Sequence, residues 1–211
     1  MSKPTIYGFP QSSYVWTTRA GFAVKGVDYD FVPITPGEHK QPDHIARHPY
    51  GKVPAMVAGD FTLYESSAIL RWLDATQEGA KLFPTEGNLA GQVEQWVSVV
   101  NGYVYKQVVL DWLFKYMFTP DGKPDTAALE EARPKLAHSF KNLNDAIGDG
   151  PWIAGDSITA ADLFIGPLAM ALTRFDDGKQ ILGDNPKVQR LVGALAETPA
   201  FMSGAPQQPA S

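Results

Sequence analysis

Lys52-Val53-Pro54-Ala55-Met56-Val57-Ala58-Gly59-Asp60-Phe61-Thr62-Leu63-Tyr64-Glu65-Ser66-Ser67-Ala68-Ile69-Leu70 decides the fold of the first third of the chain. Ala55-Met56-Val57 and Phe61-Thr62-Leu63-Tyr64 flank Ala58-Gly59-Asp60, a hairpin signal. From Ser66 to Ala75, Ile69, Leu70, Trp72 and Leu73 recur at helical spacing. Pro54 stands at the entrance to the first of these strands, where its missing N–H takes nothing from the ladder. Upstream, Thr5-Ile6-Tyr7 is a short strand stopped by Gly8 and Pro10, and Tyr14 to Lys25 reads as a helix with Gly26 as its stop. Tyr29 to Ile34 alternates with period two, which completes a β-α-β unit with parallel strands and a right-handed crossover. The order is β-α-β, a loop from Thr35 to Tyr50, then β-β-α.

Downstream the pattern changes. Gly79 to Gly87 has no period of two or 3.6, and the chain beyond Gly87 reads as helix and turn, so residues 1–78 form an α/β domain, 79–87 a linker and 88–211 an all-helical domain. An amphipathic segment runs from Asn88 to Phe118, breaks at Thr119-Pro120-Asp121-Gly122-Lys123-Pro124 and resumes from Thr126 to Ile147; the short break predicts antiparallel packing. A further helix spans Thr159 to Thr173, opened by the capping box Thr159-Ala160-Ala161-Asp162. The tail from Gly204 reads as frayed.

The 211 residues give a prior of about 1.4 domains. With 44% hydrophobic and 19% charged residues the chain has material for a core and is no disordered polymer. The net charge of −5, with no basic run longer than two residues, argues against nucleic acid or an anionic membrane as partner. Zero Cys excludes a disulfide framework, thiolate metal sites and a cysteine nucleophile, so any sulfur chemistry belongs to a ligand. No secretory leader and no run of about 18 apolar residues is present, which predicts a soluble cytoplasmic protein.

Several short motifs carry chemistry. A cis Val53–Pro54 bond would turn the Val53 backbone outward to pair with an extended peptide-like ligand; an ordinary trans turn is the base-rate alternative. Glu65-Ser66 opens a helix, where N–H groups and the dipole attract a carboxylate and Glu65 attracts an ammonium; simple capping by Ser66 is the rival. His39 and Lys40 suit a second carboxylate, or form a solvated loop. Metal binding by His39, His44 and His48 is disfavoured, since no carboxylate-supported spacing converges the rings. Ser12 and Ser13 sit between the first strand and first helix, where a hydroxyl donates to an anion or caps the helix.

Taken together, Glu38-His39-Lys40-x-Pro42-x-His44, Arg47-x-Pro49-x-Gly51-x-Val53-Pro54-Ala55, Gly59-Asp60 and Leu63-x-Glu65-Ser66-x-Ala68-Ile69 resemble the serine-type cytosolic glutathione transferases, most like the phi class of plants and its bacterial relatives. The resemblance covers nearly the whole chain and implies a thioredoxin-like N-terminal domain followed by an all-helical one. It implies Ser12 as the catalytic serine, with Ser13 as the competing hydroxyl. His39 and Lys40 match ligands of the glycyl carboxylate, Val53 the backbone partner of the cysteinyl unit, Pro54 the cis-proline, and Glu65 with Ser66 the γ-glutamyl site. Lys52 stands where phi enzymes often have Gln and adds a charge contact to glutathione. Ser12-Ser13-Tyr14-x-Trp16-x-x-Arg19 looks like the zeta-class pattern with Tyr14 in place of Cys.

The implied activity is addition of the glutathione thiolate to hydrophobic electrophiles, a detoxification chemistry with glutathione as co-substrate, no cofactor and no metal, in a cytoplasmic homodimer. The second substrate is expected in a cleft between domains, against Phe9, Tyr105, Trp112 and Tyr116. The alternatives are a glutathione-dependent isomerase or peroxidase, or a non-catalytic ligand-binding or regulatory protein with the same fold.

Overall fold

The structure, a computed structural model, describes residues 2–119 and 121–206. Two compact units divide them: residues 2–83 with 196–206, and residues 84–195.

The first unit is built on a four-stranded sheet in the order β2-β1-β3-β4, with β1 Thr5–Gly8, β2 Asp30–Pro33, β3 Ala55–Ala58 and β4 Phe61–Tyr64. β1 and β2 are parallel, joined by α1 (Ser13–Val24); β3 is antiparallel to both β1 and β4. Gly26 ends the α1 turn at φ 68°, as its position after the last apolar residue predicts. The expected loop carries a 3₁₀ turn at Glu38–Lys40 and a short helix, α2 (Pro42–Ile45). α3 (Ser66–Thr76) follows β4 and buries Ile69, Leu70 and Leu73. Ile6, Val15, Ala20, Phe22, Ala55 and Met56 are wholly buried and form the core between sheet and helices.

Residues 196–206 belong to this unit, although the sequence pattern assigns them to the helical domain. α10 (Pro199–Met202) packs on α1. The Trp16 indole N–H donates to the Phe201 carbonyl at 2.8 Å, and the rings of Trp16 and Phe201 lie 4.9 Å apart. Arg19 donates to the carbonyls of Ser203 and Gly204 and to the Tyr29 hydroxyl. Gly204 is buried, not frayed: a Cβ there would lie 2.8 Å from the Trp16 ring and 3.0 Å from the Ala20 nitrogen. The rest of the expected frayed tail, 207–211, lies outside the described residues.

The second unit is helical. α4 (Gly87–Val99) continues through wide π turns at Val100–Val104 and Lys106–Leu113 into α5 (Phe114–Met117). α6 (Thr126–Ala146) runs back along it: Asp125 N–H donates to Lys115 O, and Ser139 Oγ to Gln107, so rising numbers on one helix meet falling numbers on the other. α7 (Ala160–Leu172), α8 (Asp176–Gly183) and α9 (Pro186–Ala196) complete the unit. The capping box is formed, and Asp162, with no exposure to solvent, accepts from Thr159 N–H and Oγ1 and also from Ile153 N–H at 2.8 Å.

Candidate active site

Register alone gathers the site residues of the first unit. Tyr7 pairs with Ala55 and Ala55 with Tyr64, so the end of β1, the start of β3 and the end of β4 coincide; Gly8 pairs with Pro33, which brings the end of β2 there too. The segments leaving these strands carry Ser12, His39, Lys40, Lys52, Val53, Pro54, Glu65 and Ser66 to one end of the sheet.

Ser12 is the N-cap of α1. Its backbone is extended and its Oγ accepts from Val15 N–H at 3.4 Å. An accepting hydroxyl still has its hydrogen to give, and here it sits at the positive end of a 12-residue helix. Ser13 is the first helical residue, so capping falls to Ser12 and not, as the sequence also allows, to Ser13.

Glu65 occupies the cap position of α3 at φ 70°. A non-glycine residue in the left-handed region costs on the order of 1–3 kcal/mol and persists where surrounding structure imposes it. Its carboxylate makes no capping bond and is exposed at the helix mouth. Ser66, the expected cap, is instead the first helical residue; it is buried, and its hydroxyl donates to Tyr14 O at 3.4 Å. That bond ties the start of α3 to the start of α1, two residues beyond Ser12.

The Val53–Pro54 bond is cis. Val53 is half-buried and the Lys52 side chain is exposed. The loop before them is held by side chains: Thr35 N–H and Oγ1 both donate to Glu38, the Arg47 guanidinium lies 4.3 Å over the Tyr7 ring, and Lys40 Nζ donates to Gly51 O at 3.1 Å. His39 Nδ1 accepts from Gly37 N–H, leaving Nε2 to carry the hydrogen, and its ring meets Phe9 edge-on at 5.0 Å. Burial, with Lys40 and His44 adding to it, holds the His39 imidazole below its ordinary pKa.

The other expected pocket residues belong to the helical unit. Burial pushes the Tyr105 hydroxyl above its usual pKa. Trp112 is wholly buried, and its indole N–H donates to Asp177 at 2.8 Å. It is a core residue here, tied to α8 through Asp177, whereas Tyr116 is half-buried. Tyr116 stacks on Phe175 at 3.8 Å, and burial, then its bond to Asp177, push its hydroxyl up to about 12. Among the described residues no group of three or more His, Cys, Asp or Glu is placed to hold a metal ion, and no helix is long and apolar enough to cross a membrane.

Sequence reasoning missed Lys25 and Asp74. Lys25 donates to Asp74 and to Ala80 O, while Asp74 also accepts from Leu82 and Phe83 N–H, so the segment leaving α3 is fastened to the sheet unit. Nothing local signals a pair 49 residues apart.

A β-α-β-β-α sheet unit with a capping serine at the start of its first helix, followed by a helical unit, defines a thioredoxin-like protein of the two-domain kind. A family model described as the glutathione S-transferase N-terminal domain matches residues 6–81, and one for the C-terminal domain of the same family matches residues 126–194. Glutathione S-transferase 3 of Zea mays is 30% identical over 207 residues, 95% of this chain and 92% of that one. The chain therefore belongs to the glutathione S-transferase family. Among solved structures, glutathione transferase F7 from Populus trichocarpa superposes with a TM-score of 0.84 at 26% identity, covering 95% of this chain and 97% of that one. Glutathione S-transferase-I bound with the ligand lactoylglutathione does so with a TM-score of 0.85 at 26% identity, covering 97% and 99%.

Proposed function

We propose that the chain is a cytoplasmic, homodimeric glutathione transferase that adds the thiolate of glutathione to hydrophobic electrophiles. The observation that carries this reading is the convergence of the Ser12 cap, the Val53 backbone and the strained Glu65 at one end of the sheet. Glu65 attracts the γ-glutamyl ammonium and the α3 N-terminus its carboxylate; the Val53 peptide pairs with the cysteinyl unit; His39, Lys40 and Lys52 face the glycyl carboxylate. The relative solved with lactoylglutathione supports a glutathione ligand.

Ser12 stabilises the sulfur anion. A free thiol titrates near pH 8.5, so only about 3% is thiolate at pH 7. A hydroxyl donating to the anion contributes about 1.5–3 kcal/mol, which lowers the thiol pKa by about one to two units. The thiol proton leaves to water. With an aryl halide, the sulfur then bonds to the ring carbon and the halide departs with the bonding pair, so no oxidant or reductant is needed.

Calorimetric titration with glutathione, followed by conjugation of an aryl halide, tests this. Binding with turnover is the expected result, and Glu65→Ala weakens binding by roughly 10- to 150-fold. No binding overturns the proposal; binding without turnover of any electrophile leaves a ligand-binding protein.

A further inference from the structure

We infer that His44 is a positioning residue for the glutathione site, holding the Lys52–Val53 peptide in place through its ring; this rests on the function proposed above. His44 lies in α2, is 2% exposed, and its Nε2 is 2.7 Å from the Lys52 carbonyl oxygen. A carbonyl only accepts, so Nε2 carries the hydrogen and donates. Nδ1 of the same ring is buried with no hydrogen-bond partner among the described residues. The imidazole therefore makes one directed polar contact, and that contact is with the site loop.

The peptide so held is the one on which two ligand groups hang. Lys52 supplies an exposed side chain and Val53 the backbone that faces the cysteinyl unit, yet β3 begins only at Ala55. Between the 3₁₀ turn and β3, two successive carbonyls are each bound by a side chain from residues 38–45: Gly51 O by Lys40 Nζ and Lys52 O by His44 Nε2. Lys40 is exposed and close to the ligand, whereas His44 is sealed beneath the loop. Its directed contact runs to the Lys52–Val53 peptide and not to Ser12, which makes it a determinant of how tightly glutathione is held and not of how fast its sulfur reacts.

The test compares His44→Phe, which keeps a planar ring and removes the donor, with His44→Gln, whose amide N–H reaches to a similar distance. Expected for His44→Phe is a KM for glutathione about 10-fold higher, equivalent to about 1.4 kcal/mol, with kcat at saturation within about twofold of the parent and the pH midpoint of the bound thiolate unmoved. His44→Gln restores the parent KM. Should His44→Phe fail to fold, His44→Asn takes its place, since the shorter amide falls short of Lys52. Amide hydrogen exchange across residues 49–55, measured without glutathione, is faster in His44→Phe than in the parent or His44→Gln. Unchanged KM with unchanged exchange overturns the inference, as does a fall in kcat with KM unaltered. A parent chain that binds no glutathione overturns the proposed function instead, and the exchange measurement then decides the hold on Lys52 by itself.

Discussion

The ammonium of Lys25 lies 2.8 Å from a carboxylate oxygen of Asp74, with side chains 0% and 8% exposed. Further hydrogen bonds of the two side chains run to Ala80, Leu82 and Phe83, so one buried charge pair gathers the end of α1, the last turn of α3 and the chain leaving it. Burial pulls the Asp74 carboxyl upward in pKa; the Lys25 ammonium and two backbone N–H groups outweigh it and hold it below the ordinary carboxylate value.

Removing one partner leaves the other charged and unpaired out of water. Lys25→Met is expected to cost about 3–5 kcal/mol in urea unfolding, with the denaturant slope unchanged. A loss below about 1 kcal/mol would show that the Leu82 and Phe83 N–H groups suffice for Asp74.

Asp162 makes stability depend on pH in the opposite sense to a salt-bridged acid. Burial pushes its carboxyl up to about 6 against the opposing bonds from Ile153 and Thr159, from an ordinary Asp value of 3.8. Because the folded value is the higher one, the native chain binds the proton more tightly. The contribution is full below pH 3.8 and declines by about 1.4 kcal/mol per pH unit until pH 6. Melting of the parent against Asp162→Asn across pH 4 to 7 reads this slope, which the variant lacks; parallel curves would refute it.

Ser12→Ala is expected to lower turnover at neutral pH by about 10-fold and to raise the thiolate midpoint of the glutathione complex by about one to two units, with glutathione affinity little changed. Stability also falls by about 0.5–2 kcal/mol, because the cap of α1 is lost. Ser13→Ala moves neither the midpoint nor the cap. A midpoint that shifts only in Ser13→Ala would move the chemistry to Ser13 and refute the role given to Ser12.

Light scattering at micromolar concentration is expected to give twice the mass of one chain, with the sheet unit of each subunit against the helical unit of the other. A monomeric mass would refute this.

The four strands, α1 and α3 of the sheet unit are readable because their signals are local, whereas α2 inside the expected loop and α10 are not. Gly59-Asp60 turns the hairpin and Gly26 stops α1. Features set by distant packing are not readable either. Glu65 at φ 70° has no side-chain signature, since Gly or Asn is the usual occupant of that region. The π turns between Val100 and Leu113 rotate the stripe that 3.6 periodicity draws, and Trp112 ends in the core. Trp16 and Arg19 read as a class signature; their partners, Phe201, Ser203 and Gly204, are about 185 positions away.

That last separation sets an order of events during synthesis. Every strand of the sheet and the Ser12, Val53 and Glu65 segments emerge from the ribosome early, whereas the α10 segment that covers Trp16 and engages Arg19 is made only after the helical unit. At about 5–20 residues per second the intervening helical unit takes roughly ten seconds to translate. Through that interval the N-terminal unit stands with the α10-facing side of α1 uncovered, and a nascent chain stopped after Leu195 has every proposed glutathione ligand while lacking the residues that close the helix bearing its serine.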